Sequence, residues 1–77
     1  QLGYLAALAS RFGEAVEFSR RAVELDPGLA EAWVNLVGAC AAAGRIDEAR
    51  TTLREALARF PNRPELRELD RRLAPRQ

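Results

Sequence analysis

The sequence predicts an all-α protein built from antiparallel helix pairs. Three observations support this fold class: an internal repeat of 34 residues, apolar residues at helical spacing, and a proline near the end of each repeat. Residues 1–29 laid over residues 35–63 match at many positions, and chance would rarely produce so many matches at one offset. The matched pairs are Leu2 with Leu36, Arg11 with Arg45, Glu14 with Glu48, Ala15 with Ala49, Ala22 with Ala56, and Pro27 with Pro61.

The first repeat, residues 1–29, is predicted to be a helix pair that lacks its first turn. Its second helix is expected over Glu14–Leu25, because apolar and small residues there recur on one half of a helical cylinder. Pro27 closes this helix, since proline resists helical continuation. The face expected to be buried contains Ala15, Val16, Phe18, Ser19, Ala22, Val23 and Leu25.

The second repeat, residues 30–63, is predicted to be complete. A helix over residues 30–43 should end at Gly44 in a left-handed cap, and a second helix over Asp47–Phe60 should be closed by Pro61. Residues expected to face inward are Trp33, Leu36, Val37 and Cys40 in the first helix and Ala49, Leu53, Ala56, Leu57 and Phe60 in the second. Residues expected to face outward are Arg50, Thr51, Arg54 and Glu55.

The last segment, residues 64–77, is predicted to be a helix that covers the second repeat. Asn62 and Glu65 stand at capping-box spacing before it. One face carries leucines and the others are charged, so the array is expected to end here. At the opposite end, Leu2 and Leu5 have no capping residue before them, so we expect upstream residues or another copy of the chain to stack on this end.

The composition excludes several classes of function. The 12 basic residues are all arginine and nearly balance 11 acidic residues, which argues against a surface for nucleic acid or anionic lipid. Histidine is absent, so the commonest general base and metal ligand are missing. Cys40, the single cysteine, is interpreted as a core residue. No cofactor, metal site or catalytic residue is predicted, and the chain is not expected to be an enzyme.

Membrane insertion is also not expected. No apolar run is long enough to span a bilayer and no signal peptide is visible, which favours a cytoplasmic location. The lysine-free composition, rich in alanine and arginine, is typical of a GC-rich bacterial genome.

The stretch GACAAAG, residues 38–44, has two interpretations. A phosphate-binding loop would need a lysine after its second glycine and a strand before its first, and the chain has no lysine and no strand pattern. Close approach of two helices is the better explanation, because it requires small side chains. Val37 is larger than this contact favours, so we expect a slightly wider second hairpin.

The 34-residue helical hairpin resembles the tetratricopeptide repeat family. The resemblance covers nearly the whole chain, which would form one domain. It depends on Leu2, Gly3, Ala15, Ala22 and the ending ELDPG in the first repeat, and on Trp33, Leu36, Gly44, Ala49, Leu53, Ala56 and Pro61 in the second. The family favours glycine where Ser10 and Val37 stand. The resemblance implies a right-handed solenoid of about two hairpins plus a C-terminal capping helix.

The same resemblance implies a concave groove that receives an extended peptide or a partner helix. The groove residues carried over are Tyr4, Ala7, Leu8, Glu31, Val34, Asn35, Gly38, Ala41 and Ala42, with Glu68 and Arg72 as a far wall. Tyr4 and Leu8 are equally well explained as packing against a preceding repeat or against each other. The carboxylate clamp known in some family members is disfavoured, because Glu65 and Leu69 stand where basic residues are expected.

The sequence therefore predicts a non-enzymatic protein-interaction module that binds a protein or peptide and no nucleic acid. Self-association through the open N-terminal end is a further expectation. The alternative is a docking or regulatory arm of a larger enzyme whose catalytic domain lies outside these residues. Nothing within the 77 residues separates the two, because both would use the same groove.

Overall fold

The structure is a computed structural model that describes residues 2–74, with side chains described for residues 11–74. The described residues form four helices, α1 (Leu2–Leu25), α2 (Ala30–Ala42), α3 (Ile46–Arg59) and α4 (Pro64–Leu73). Residues 2–74 contain no strand, which confirms the predicted all-α class. None of the helices in this range is long and apolar enough to cross a bilayer.

Helix α2 is the centre of the fold and packs against α1, α3 and α4. Its apolar residues recur at helical spacing around most of its circumference, so it can bury surface against three neighbours. The predicted inward residues of α2 and the small residues of α3 are confirmed as buried. The core consists of Val16, Trp33, Leu36, Val37, Cys40, Ala49, Leu53, Ala56 and Leu66. Leu57 and Phe60 are partly buried against it.

The turn between α2 and α3 is fixed by Gly44. Its φ angle is 79°, in the left-handed region that glycine occupies without steric cost, and it is the one positive φ among the described residues. The amide of Gly44 donates to the carbonyl of Ala41 at 3.1 Å, and the amide of Arg45 donates to that of Cys40 at 2.9 Å. This pair of bonds is a Schellman motif, and the predicted left-handed cap is confirmed.

Trp33 joins the turn before α2 to the core. Its indole Nε1 donates to the backbone carbonyl of Pro27 at 2.9 Å, while the ring is only 6% exposed. The guanidinium of Arg59 lies 5.4 Å from the ring centroid, at cation–π distance. One side chain therefore connects the α1–α2 turn, the core and the end of α3.

Residues 2–25 form one helix where the sequence analysis expected a helix pair. The physical reason lies at Ser10, which occupies the repeat position of Gly44. The hairpin turn needs a left-handed residue at this position, and that conformation costs a residue with a side chain about 1–2 kcal/mol. Continuation of the helix avoids this cost, and Gly13 is accommodated inside it.

The buried face predicted for Glu14–Leu25 is partly wrong. Val16 is buried, and Ser19 and Val23 are half-buried, as expected. However, Phe18 is 74% exposed and Leu25 is 86% exposed. Ala15 and Ala22 are also exposed. This side of α1 lacks a cover because the segment expected to fold back onto it continues along the same helix.

Two predictions at the C-terminal end are also wrong. Arg50 was expected to face outward but is half-buried, because its Nε donates to the carbonyl of Leu73 at 2.9 Å. Asn62 does not cap α4: the N-cap residue is Arg63, no side-chain capping bond is present, and Pro64 occupies the first helical turn. Proline suits that turn because its missing amide would have no helical partner there.

An ion-pair cluster joins α1 to α3. Arg20 of α1 bonds Glu48 of α3, and Oε1 of Glu48 also lies 3.9 Å from a terminal nitrogen of Arg45. Bonding to Glu48 raises the pKa of Arg20. These side chains are more than one-third exposed, so we expect the cluster to contribute less than about 1 kcal/mol to stability.

Candidate binding groove

The main candidate site is an open groove of about 490 Å³ between α2 and α4. Fully buried Leu66 fixes α4 to the core, so the next turns of α4 form a wall opposite α2. The groove is lined by Val34, Asn35, Gly38 and Ala39 from α2 and by Glu65, Glu68, Leu69 and Arg72 from α4. We call this set the α2–α4 groove.

The α2 side of the groove is open because its residues are small. A Cβ atom added to Gly38 would meet nothing within 4 Å, so the space above this residue is free. Val34 and Ala39 pack against the core from the groove side, and Leu69 does so from α4. Asn35 is exposed and carries an amide that can both donate and accept hydrogen bonds. The groove therefore has an apolar floor with one polar group beside it.

The rim contributed by α4 is charged. The Nε of Arg72 lies 3.5 Å from Glu68 Oε2, and a terminal nitrogen of Arg71 lies 3.9 Å from Glu68 Oε1. Glu65 adds a second carboxylate to the lining. The lining thus carries two carboxylates and one guanidinium, and the guanidinium is already paired.

The structure brings together five of the residues that the resemblance assigns to binding. They are Val34, Asn35, Gly38, Glu68 and Arg72. The other α2 candidates do not line this groove: Glu31 and Ala42 are exposed elsewhere on the helix, and Ala41 is half-buried against the core. The candidates Tyr4, Ala7 and Leu8 lie outside the residues whose side chains are described.

Ala39, Glu65 and Leu69 line the groove but were not predicted to bind a partner. In the sequence, Glu65 and Leu69 are notable only as positions where a carboxylate clamp would have basic residues. A signal was present, because Glu65, Glu68, Leu69 and Arg72 are spaced by three or four residues and therefore share one helix face. Ala39 had no such signal, since its position beside α4 depends on the packing of the two helices.

The described residues offer little catalytic chemistry. Cys40 is fully buried, and burial raises the pKa of its thiol, which keeps it protonated and unreactive. Residues 11–74 contain no group of three His, Cys, Asp or Glu side chains that could hold a metal ion. A smaller and more enclosed depression of about 200 Å³ lies between α3 and α4, beside Leu53, Leu57 and Leu73. Arg50, Arg54 and Asp70 also line it, and Arg50 is already bonded to the carbonyl of Leu73.

The helix pairing and the open groove define a helical-repeat protein. A family model described as tetratricopeptide repeat matches residues 6–73, most of the chain, and the chain belongs to this family. Members generally mediate protein–protein interactions and are typically non-catalytic. No curated protein and no solved structure matches the chain significantly.

Proposed function

We propose that the α2–α4 groove binds an extended peptide or a helix of a partner protein. The observation that supports this most strongly is the free space over Gly38, which lies between the apolar surface of Val34 and that of Leu69. Recognition of a peptide needs a groove of this kind, with apolar contacts for affinity and a few polar groups for orientation. Asn35 can supply a hydrogen bond to the backbone of the bound segment.

The charge of the rim supports a basic partner segment. Arg71 and Arg72 both interact with Glu68, whereas Glu65 forms no ion pair with the described residues. An arginine or lysine of a peptide could therefore pair with Glu65, whereas an acidic residue at this position would be repelled. The proposed ligand combines an apolar residue over Gly38 with a basic residue near Glu65.

The same groove could serve a second function. In this alternative proposal, the chain is the docking arm of a larger enzyme, and the groove binds that enzyme's substrate or regulator. The sequence of the full-length protein separates the two proposals, because only the second requires an adjoining catalytic domain. Within these 77 residues both proposals predict the same peptide binding.

Gly38→Arg is expected to reduce peptide binding without loss of folding. Arginine at this position would fill the open space over α2, where an apolar peptide residue is proposed, and its positive charge would repel the basic peptide residue proposed near Glu65. Helicity should hold, and stability should rise by up to about 1 kcal/mol, because arginine favours helix more than glycine does. Peptides selected from a displayed random library on the unmodified protein should bind this variant at least about tenfold more weakly, a difference of about 1.4 kcal/mol.

The matched control is Ala58→Arg. It introduces the same side chain at an exposed position of α3, away from the α2–α4 groove. We expect it to leave the affinity of the selected peptides unchanged within about twofold, and we expect those peptides to be enriched in arginine and lysine. If Ala58→Arg abolished binding and Gly38→Arg did not, the binding surface would lie on α3 and the proposed site would be wrong.

A further inference from the structure

One side of α1 is exposed although the repeat pattern predicts that it is buried, and this is the largest difference between the predicted and the observed packing. Ala15, Phe18 and Ala22 stand one repeat before Ala49, Thr52 and Ala56 of α3. All three residues of α3 are buried, whereas all three residues of α1 are exposed. The same surface is therefore covered in one repeat and uncovered in the other.

The cover in the second repeat is α2. Helix α3 packs between α2 and α4, and its Arg50 and Leu57 line the α4 side. Ala49 and Ala56 lie in the same core cluster as Val37 and Cys40 of α2. By the 34-residue correspondence, residues 2–10 are equivalent to residues 36–44, which comprise the second half of α2 and the turn after it. This segment therefore has the sequence that should cover the exposed side of α1.

Residues 2–10 cannot cover that side within the same molecule while α1 is continuous. Positions 3 and 18 of one straight helix are separated by about 22 Å along its axis, since each residue advances about 1.5 Å. A hairpin would bring these positions together, but the turn would have to form at Ser10, which lacks the conformational freedom of Gly44. The same segment of a second molecule can supply the missing cover.

We propose that two copies of the chain exchange residues 2–10, so that this segment of each copy packs on the Ala15–Leu25 side of the other. The two α1 helices would run antiparallel about a twofold axis near Ser10. Each contact would reproduce the packing that α2 and α3 make inside one chain. Exchange of an identical element requires only that its hinge open, and it makes use of contacts that the sequence already encodes. The exposed Phe18, which corresponds to buried Thr52, would be buried, and the exchanged surface would continue the core through Val16 and Val23.

The hinge residue provides the sharpest test. In light scattering coupled to size-exclusion chromatography, the 77-residue chain should have twice the 8.5 kDa mass of one copy. Ser10→Gly restores the residue that turns the second repeat, so it should close the hairpin and shift the mass to that of a monomer. Ser10→Ala favours the continuous helix and should leave the dimer intact.

A second pair of variants tests the covered surface. Phe18→Asp would bury a charge in the exchanged contact and should abolish the dimer. Arg54→Asp, at an exposed position of α3, should leave the dimer unchanged. A monomeric unmodified chain would overturn the proposal. So would a dimer that persists in Ser10→Gly or in Phe18→Asp, because the copies would then associate through another surface.

Discussion

Trp33→Ala is expected to lower the free energy of unfolding by about 3–5 kcal/mol, the range for removal of a large buried aromatic side chain. The change would leave a cavity in the core and would also remove the Nε1 bond to Pro27 and the contact with Arg59. Because the single core of a chain this short rarely supplies more than about 3–5 kcal/mol, this loss should leave part of the chain unfolded at room temperature. Urea denaturation followed by circular dichroism measures it without relying on the fluorescence of the removed residue.

Trp33→Phe is the control for this prediction. Phenylalanine keeps most of the apolar surface but has no hydrogen-bond donor. The variant therefore measures the loss of the bond to Pro27 together with a modest loss of packing. We expect about 1–2 kcal/mol for this variant, because a single hydrogen bond contributes about 0.5–1.5 kcal/mol. If Trp33→Ala lowered the free energy of unfolding by no more than Trp33→Phe, Trp33 would not be the central core residue described above.

Ala56→Leu is expected to destabilise the fold by about 1–3 kcal/mol or more through overpacking. Ala56 is fully buried, in the same core cluster as Val37 of α2. Val37 is already larger than the glycine that the family favours, so this contact has little space for three additional carbon atoms. The melting temperature and the urea midpoint should both fall.

Ala58→Leu makes the same substitution two residues further along α3, where the side chain is exposed. It should change stability by no more than about 0.5 kcal/mol, as is typical of surface positions. Equal shifts for the two leucine variants would contradict the packing of α3 against α2.

The parts of the fold that could be predicted from the sequence are those fixed by local chemistry. Gly44 at the end of α2 and the prolines after α1 and α3 restrict the backbone directly, so the helix ends near Leu25 and Arg59 agree with the pattern. The apolar spacing of α2 and α3 likewise identified their buried faces. By contrast, Asn62 stands at capping-box spacing but does not cap α4. The helix begins at Pro64, which suits the first turn, so the N-cap residue is Arg63.

The first repeat could not be predicted correctly, because many matched positions in the repeat alignment indicated a helix pair and only Ser10 indicated otherwise. Ser10 stands where the family favours glycine, but the repeat alignment still predicts one helix before it and another after it. In the structure the helix continues through this position, and the side of α1 that includes Phe18 is left exposed. One residue that disfavours a left-handed turn is enough to change which surfaces are covered.

The groove shows a similar division between local and tertiary information. Val34, Asn35 and Gly38 could be named because the family resemblance assigns this face of the helix to the groove. Which residues lie opposite that face depends on how α4 packs, and its position is set by burial of Leu66. For that reason Ala39 could not be assigned to the groove from spacing.

The most direct test of the proposed function is an amide chemical-shift map of the ¹⁵N-labelled chain titrated with a library-selected peptide. If the α2–α4 groove is the binding surface, the largest shifts should occur at Val34, Gly38, Ala39 and Leu69, and they should disappear in Gly38→Arg. Amides on the exposed side of α3, such as those of Arg54 and Ala58, should hardly move. Largest shifts on α3, or on the Phe18 side of α1, with the groove amides unchanged would contradict the account.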